Sequence, residues 1–183
     1  VAYCSRLETV NEPMIELCNR LSKLAPGSLD RVEFFNSGTE ANEAIVKLAY
    51  RYHLAKGNLQ KMMVISRWHS YHGMTFASLS LTGHPARRDV YSPLLFQWPK
   101  IPSPLCYHCS YGKSYPGCDL ECAWELEKVI NLAGPENISC FLCEPITGSP
   151  SGVIVPPPEY FLILRDICQK YDILFALDEV LTG

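Results

Sequence analysis

No apolar run in this 183-residue sequence approaches the roughly 20 residues that a membrane-spanning helix needs, so a bilayer-crossing role is not expected. An excess of one charge is missing too: 16 Lys and Arg against 19 Asp and Glu, scattered along the chain, leave a net charge of −3. That balance offers neither a basic stripe for nucleic acid nor a polybasic run for a membrane surface, and it leaves a small molecule as the expected partner. The opening residues, VAYCSRLETV, lack the charged and apolar regions of a secretory signal. Neither G-x-G-x-x-G nor the P-loop lysine motif occurs, so dinucleotide and nucleoside triphosphate binding find no support.

What is present fits an α/β domain. The chain is 48% hydrophobic, ordinary for a globular protein. A chain of this length can bury roughly 70% of its unfolded surface. The nine cysteines are an odd number, and Cys140, Cys143 and Cys168 fall on apolar faces where a thiol behaves as a small hydrophobe. Reduced, intracellular usage is the expectation, in the cytoplasm or the mitochondrial matrix, with no nucleophilic cysteine implied.

Apolar spacing predicts an amphipathic helix over 13–25, stopped by Pro26 and Gly27. A short strand, VEFF, is expected within 31–36. Ser37 and Glu40 then match a capping box that opens a helix, with Ala41, Ala44, Ile45, Leu48, Ala49 and Tyr52 on its apolar face and Gly57 as its stop. A second strand around Met62–Ile65 is expected to run parallel to the first. Residues 75–81 suggest a short helix, and 85–117 an irregular surface stretch. Asp119 is expected to cap a helix to Ala133, followed by a strand over 138–143, a helix over 158–171 and a strand over 173–177. The loop 147–158, with Gly148, Gly152 and several prolines, suggests a rigid wall.

Two of these strands end in an acid, Glu144 and Asp178. In an open α/β sheet, ligands bind beyond the carboxyl ends of the strands, so both acids are expected at one edge of neighbouring parallel strands. A carboxylate delivered there by an apolar run needs a partner. A metal site or a general acid–base pair would also use two such acids, although each needs further groups that the sequence does not supply. The strand, turn and capped helix start at 37–39 can hold an anion on open N–H groups. The plainer reading of that local sequence is a capped helix with nothing bound, since such boxes are common.

Cys106, Cys109, Cys118 and Cys122 form C-x2-C-x8-C-x3-C within or beside the irregular insertion at 102–118. This spacing suits a tetrahedral zinc site, with His108 as an alternative ligand. A disulfide and free thiols are the other readings, and free thiols in a variable insertion are the plainest.

Four stretches, FFNSGTEANEAIVKLAYR, HSYHGMTFASLSLTG, CEPITGSPSGVIVPPPEYFLILRDIC and the closing DEVLTG, occur in the order found in class III (subgroup II) aminotransferases, and together they cover well over half of the chain. The chain resembles that family. The resemblance implies a fold type I, pyridoxal 5′-phosphate-dependent enzyme with a parallel-rich sheet covered by helices on both faces. It implies further that Ser37, Gly38 and Thr39 meet the cofactor phosphate, that Tyr71 stacks on the ring with His72 beside it, and that Val180 packs on the opposite face. Asp178 is implied at the ring nitrogen and Glu144 at the substrate side. The implied reaction moves an amino group from an amine or ω-amino acid to a 2-oxo acid, in a homodimer.

Two departures accompany the resemblance. The position after Val180, often glutamine in the family, is Leu181, which cannot donate a hydrogen bond. No lysine stands in the context of the family's cofactor-bearing lysine, so the chain is expected to be part of the large domain, incomplete at both flanks and inactive by itself. An aminomutase or a decarboxylase of the same fold would share every motif above. A non-catalytic relative serving as a binding module, with or without a zinc staple, is the reading from a different class.

Overall fold

The computed structural model describes residues 10–148 and 151–183, so the opening nine residues and Ser149–Pro150 of the predicted wall lie outside the described residues. The chain divides into two compact units, Val1–Phe35 and Asn36–Gly183. In the first, helix α1 (Glu12–Leu24) starts where the Asn11 side chain accepts the Met14 N–H at 2.9 Å, and Pro13 sits in its first turn. The predicted helix is therefore present, although none of its residues is buried. The predicted VEFF strand is not. Residues 31–35 carry no regular structure, because β propensity is expressed only where a sheet supplies neighbours, and the sheet here is built from other segments.

The second unit is a four-stranded parallel sheet in the order β2-β1-β3-β4, with β1 Met63–Arg67, β2 Lys100–Ile101, β3 Ile138–Cys143 and β4 Leu174–Leu177. Helices α2 (Gly38–Ala55), α3 (Phe76–Leu81), α4 (Pro85–Arg88), α5 (Glu121–Ala133) and α6 (Tyr160–Lys170) complete it. Alternation along the strands divides the core. Ile65, Phe141 and Cys143 pack with Ala123, Leu126 and Ile130 of α5 and with Leu164 and Ile167 of α6. Val64, Cys140 and Leu142 pack with Ala49 of α2 and Leu81 of α3. With both faces covered, β3 is buried at every residue, which is why it reads as apolar apart from Ser139. Among the described residues no helix is long and apolar enough to cross a membrane.

Several expectations need correction. The buried stripe of α2 holds Asn42, Ala49 and His53, whereas Leu48 and Tyr52, placed on the apolar face by spacing, are exposed. Two polar residues turn that helix because each has a buried partner: the His53 ring meets the Ser139 carbonyl at 2.9 Å, and Asn42 serves the site described below. Asp119 does not cap α5. Both Asp119 and Leu120 lie at φ 51°, so the chain makes a left-handed turn and the helix begins one residue later than an Asp119 cap would set it. The irregular stretch 85–117 also hides β2, a two-residue strand that pairs with Ser66 and Arg67 and buries Ile101 completely.

The cysteines divide by place. Cys140, Cys143 and Cys168 are buried, and burial pushes the Cys143 and Cys168 thiols up to about 12, consistent with an apolar packing role. Among the described residues every cysteine is a free thiol, and no group of three or more His, Cys, Asp or Glu side chains is placed to hold a metal ion. His108, the alternative ligand, turns elsewhere: its ring stands edge-on to Tyr107 at 4.6 Å.

The amino ends of the sheet are fastened by Lys61, which is 7% exposed. Its ammonium donates to the carbonyls of Ile138 at 3.3 Å, Tyr171 at 2.9 Å and Asp172 at 3.0 Å, where the chain enters β3 and β4. Burial lowers its pKa, and the charge of Asp172 opposes that shift. Replacing Lys61 with Met strips three carbonyls of a charged donor and is expected to cost about 2–4 kcal/mol of unfolding free energy. Lys56→Met is the control, since its ion pair with Asp172 is about half exposed and worth less than about 1 kcal/mol. Equal losses in denaturant titrations of the two variants would contradict the clamp.

Candidate active site

Three adjacent parallel strands deliver charge to the same edge: Arg67 at the end of β1, Glu144 just past β3 and Asp178 just past β4. The register pairs Cys143 with Leu177, and the Asp178 N–H donates to the Cys143 carbonyl at 2.9 Å, so the two predicted acids do emerge side by side. All three are at least nine-tenths buried.

Asp178 is held by residues far away in sequence. Its Oδ2 accepts from the Asn42 amide at 2.7 Å and from His72 Nδ1 at 2.8 Å. Because an ionised carboxylate only accepts, Nδ1 is the protonated ring nitrogen in this contact. Burial alone would raise the Asp178 pKa, but the His72 bond and charge, together with Asn42 and the Val180 N–H, outweigh it and hold the carboxyl below its ordinary value. Among the described residues the second oxygen, Oδ1, accepts only the Val180 N–H at 3.2 Å and keeps acceptor capacity.

Asn42 has a second task, donating to the His72 carbonyl at 2.8 Å. The His72 N–H donates to the Thr82 hydroxyl at 2.9 Å, so both sides of this residue's backbone are clamped. The loop that carries Tyr71 and His72 is closed by glycines where backbones meet. A Cβ on Gly83 would stand 2.1 Å from the Arg67 carbonyl oxygen, and Gly73, at φ 131°, lies where a Cβ would strike the hydroxyls of Thr39 and Ser78, each at 2.6 Å. Glu43 of α2 holds the start of α3 by accepting the N–H groups of Ala77 and Ser78, both at 3.1 Å.

Glu144 is engaged differently from Asp178. One oxygen accepts the Tyr71 N–H at 3.0 Å and the other meets Arg67 Nη2 at 3.3 Å, while Arg67 also donates to the Glu144 carbonyl. With both oxygens occupied, Glu144 positions the Tyr71 loop. The Tyr71 ring is half-buried, with the Arg87 guanidinium 4.7 Å from its centroid. A cavity of about 730 Å³ opens beside it, lined by Tyr71, Gly73, Met74, Phe76, Arg87 and Tyr91 among others.

At the start of α2, Ser37 Oγ accepts the Glu40 N–H at 3.2 Å and the Ser37 carbonyl accepts Ala41, leaving, among the described residues, the Gly38 and Thr39 amides as the open donors of the turn. The capping box is shifted by one residue: Glu40 reaches back to the N–H of Asn36, not of Ser37. Val180 is 78% exposed, and a Cβ on Gly38 would come within 2.5 Å of its Cγ2. The structure thus gathers Ser37, Gly38, Thr39, Tyr71, His72, Glu144, Asp178 and Val180 in one unit. It adds Asn42 and Arg67, which sequence reasoning missed. Arg67 carried the same signal as Asp178, a charge ending an apolar strand; Asn42 was hidden by its place on a helix read for apolar spacing.

The sign of the Asp178 shift gives an expectation for acid stability. A depressed folded-state pKa contributes stability that is present above the unfolded value of about 3.9 and lost as pH falls through the lower folded value. His72→Leu removes the strongest lowering contact, so the acid limb of the stability profile is expected to move to higher pH. In an Asp178→Asn background the same change should leave that limb in place. Denaturant midpoints measured across the acid range decide it, and a limb that ignores His72 in the parent would sink the assignment.

The geometry can be set beside known proteins. The family model described as aminotransferase class-III matches residues 1–183. A putrescine–pyruvate aminotransferase of Pseudomonas aeruginosa is 38% identical over 176 residues, 96% of this chain and 38% of that protein. An omega-aminotransferase of Caulobacter vibrioides is 37% identical over 171 residues, 92% of this chain and 38% of the relative. The omega transaminase of Pseudomonas jessenii, solved in complex with PMP, superposes with a TM-score of 0.87 at 38% identity, covering 94% of this chain and 38% of that one. The chain spans about two fifths of the length of the curated relatives it matches. Family-wide match, relatives and parallel sheet with helices on both faces agree: the chain belongs to the class-III aminotransferases, fold type I enzymes that use pyridoxal 5′-phosphate.

Proposed function

We propose that this chain forms the cofactor-holding part of a pyridoxal 5′-phosphate-dependent transaminase that passes an amino group from an amine or ω-amino acid to a 2-oxo acid, and that the full-length protein works as a homodimer. The observation that carries the reading is Asp178: a buried carboxylate kept ionised by His72 and Asn42, with one oxygen retaining acceptor capacity. That arrangement suits a protonated ring nitrogen, whose charged form a neighbouring carboxylate favours. The cofactor, when bound, supplies the electron sink that lets an amine carbon give up its proton.

The residues present fit such a group. Gly38 and Thr39 offer open amides at a helix start, where a phosphate is favoured by both donors and dipole. Tyr71 and Val180 supply apolar surface for the two faces of a ring, and Glu144 with Arg67 fixes the backbone of the Tyr71 loop. The cavity beside Tyr71 is mainly apolar, with Met74, Phe76 and Leu94 exposed in it, which favours donors with a hydrocarbon body. Among the described residues the hydrogen-bond partners of Asp178, His72 and Glu144 include no lysine.

The full-length protein mixed with pyridoxal 5′-phosphate is expected to gain a visible absorbance band that borohydride fixes to the polypeptide and that an amine donor bleaches. Asp178→Asn, which removes the charge while keeping the shape, is expected to lower kcat by on the order of 10²-fold or more with little change in fold. A protein that takes up no cofactor, or an Asp178→Asn variant of undiminished turnover, would overturn the proposal.

A further inference from the structure

We propose that His72 is an imidazolium cation bridging the two strand-end carboxylates, its Nδ1–H donating to Asp178 and its Nε2–H to Glu144, and that this bridge fixes the Asp178 carboxylate relative to the Tyr71 loop. The first arm is the 2.8 Å contact between Nδ1 and Asp178 Oδ2. The second arm concerns Nε2. The His72 side chain is completely buried, Nε2 has no hydrogen-bond partner among the described residues, and Glu144 Oε2 lies 3.8 Å from it. That separation is within ion-pair range and about 1 Å longer than a charge-assisted hydrogen bond. It also leaves no room for a water between the two atoms.

Two states of the ring can be weighed. In a neutral ring protonated at Nδ1, Nε2 carries a bare lone pair beside a carboxylate oxygen, acceptor against acceptor, in a place where neither can turn to water. In the imidazolium both nitrogens are donors, and each has a carboxylate beside it. Glu144 can take the second bond without releasing its present donors. Each of its oxygens has more than one lone pair, and among the described residues they accept from Arg67 and the Tyr71 N–H.

Charge points the same way. Asp178 and Glu144 bring two negative charges to this buried edge, and Arg67 brings one positive charge. A neutral His72 leaves these four side chains with one negative charge in excess, whereas an imidazolium balances them, and an uncompensated buried charge is the costly state. The other side chains that meet this group are neutral: Asn42, Thr82, and Cys143, whose thiol burial pushes up to about 12. A charged His72 is also among the causes that hold the Asp178 carboxyl below its ordinary value.

His72 then acts through its neighbours, as a positioning residue. Asp178 keeps an acceptor for a ring nitrogen and Glu144 holds the Tyr71 N–H, so one rigid ring ties the two together. What the bridge does for transamination rests on the function proposed above, whereas the charge state rests on the geometry of the chain.

Neutron diffraction from crystals of the full-length protein, prepared free of pyridoxal 5′-phosphate and grown in D₂O near neutral pH, reads the protons directly. Deuterium on both Nδ1 and Nε2 of His72 is expected, with Glu144 Oε2 within about 3 Å of Nε2. Glu144→Gln removes the second negative charge, so Nε2 is expected to lose its deuterium while Nδ1 keeps it, a change that a merely structural role would not produce. A bare Nε2 in the parent, or an Nε2 deuterium that persists in Glu144→Gln, would overturn the proposal. Should that variant fail to fold, the parent decides alone. The protons are read without cofactor, so this result and that of the absorbance assay can fail separately.

Discussion

A carboxylate carried to the end of an apolar strand has left water before it has found a partner, and an unpaired buried charge is costly enough that the fold must answer it. Asp178 is 8% exposed, and the answer comes from 136 and 106 residues away, in Asn42 and His72. Neither donor is useful unless α2, the 68–75 loop and β4 sit in fixed relation. One short network therefore reports on the docking of three segments, and its members rigidify one another. Asn42 is the hinge of the arrangement, since its single amide holds both the carboxylate and the backbone of the residue whose ring holds the same carboxylate.

The neighbouring pair behaves as a counterpart. Arg67 and Glu144 are also buried at the same edge, but the two Glu144 oxygens are taken up by Arg67 Nη2 and the Tyr71 N–H, so that carboxylate is spent on structure. Asp178 is balanced by a histidine and an amide and so retains an acceptor for something else. At the opposite end of the sheet, Lys61 ties the Ile138 carbonyl of β3 to those of Tyr171 and Asp172 just before β4, with no donor to spare. Parallel strands make this asymmetry natural, because all their carboxyl ends face one way and ligands gather there.

Much of this was legible in the sequence, for reasons that can be stated. Asp178 and Glu144 stood out because an acid that ends an apolar run is physically anomalous, and the Ser37 cap because its donor pattern is local. What stayed hidden depended on neighbours distant in sequence. Val32–Phe35 has strand composition but is not part of the ladder, whereas Lys100–Ile101 has no recognisable pattern and is. The α2 face turned toward Asn42 and His53 because buried hydrogen bonds outweighed a Leu and a Tyr that spacing alone would have buried. Asp119 looked like a cap because caps are inferred from residue type, and a left-handed turn at Leu120 cannot be inferred from a leucine.

The same edge also gathers the start of a helix. Since α2 begins beside the strand ends, its positive terminus lies near Asp178, and contact between the two is close enough that Gly38 and Val180 leave no room for a Cβ. A helix start stabilises negative charge within about one turn, so it supports Asp178 as an anion and favours a second anion at the open amides of Gly38 and Thr39. Close approach is what makes this electrostatic help effective, and the surrounding loop demands glycine at 73 and 83, where side chains or backbone already occupy the place of a methyl group. Steric minimum and electrostatic maximum thus fall at the same few positions. A larger residue there would separate the charges as well as the chains, so the identity of these glycines is fixed by the site as much as by the fold.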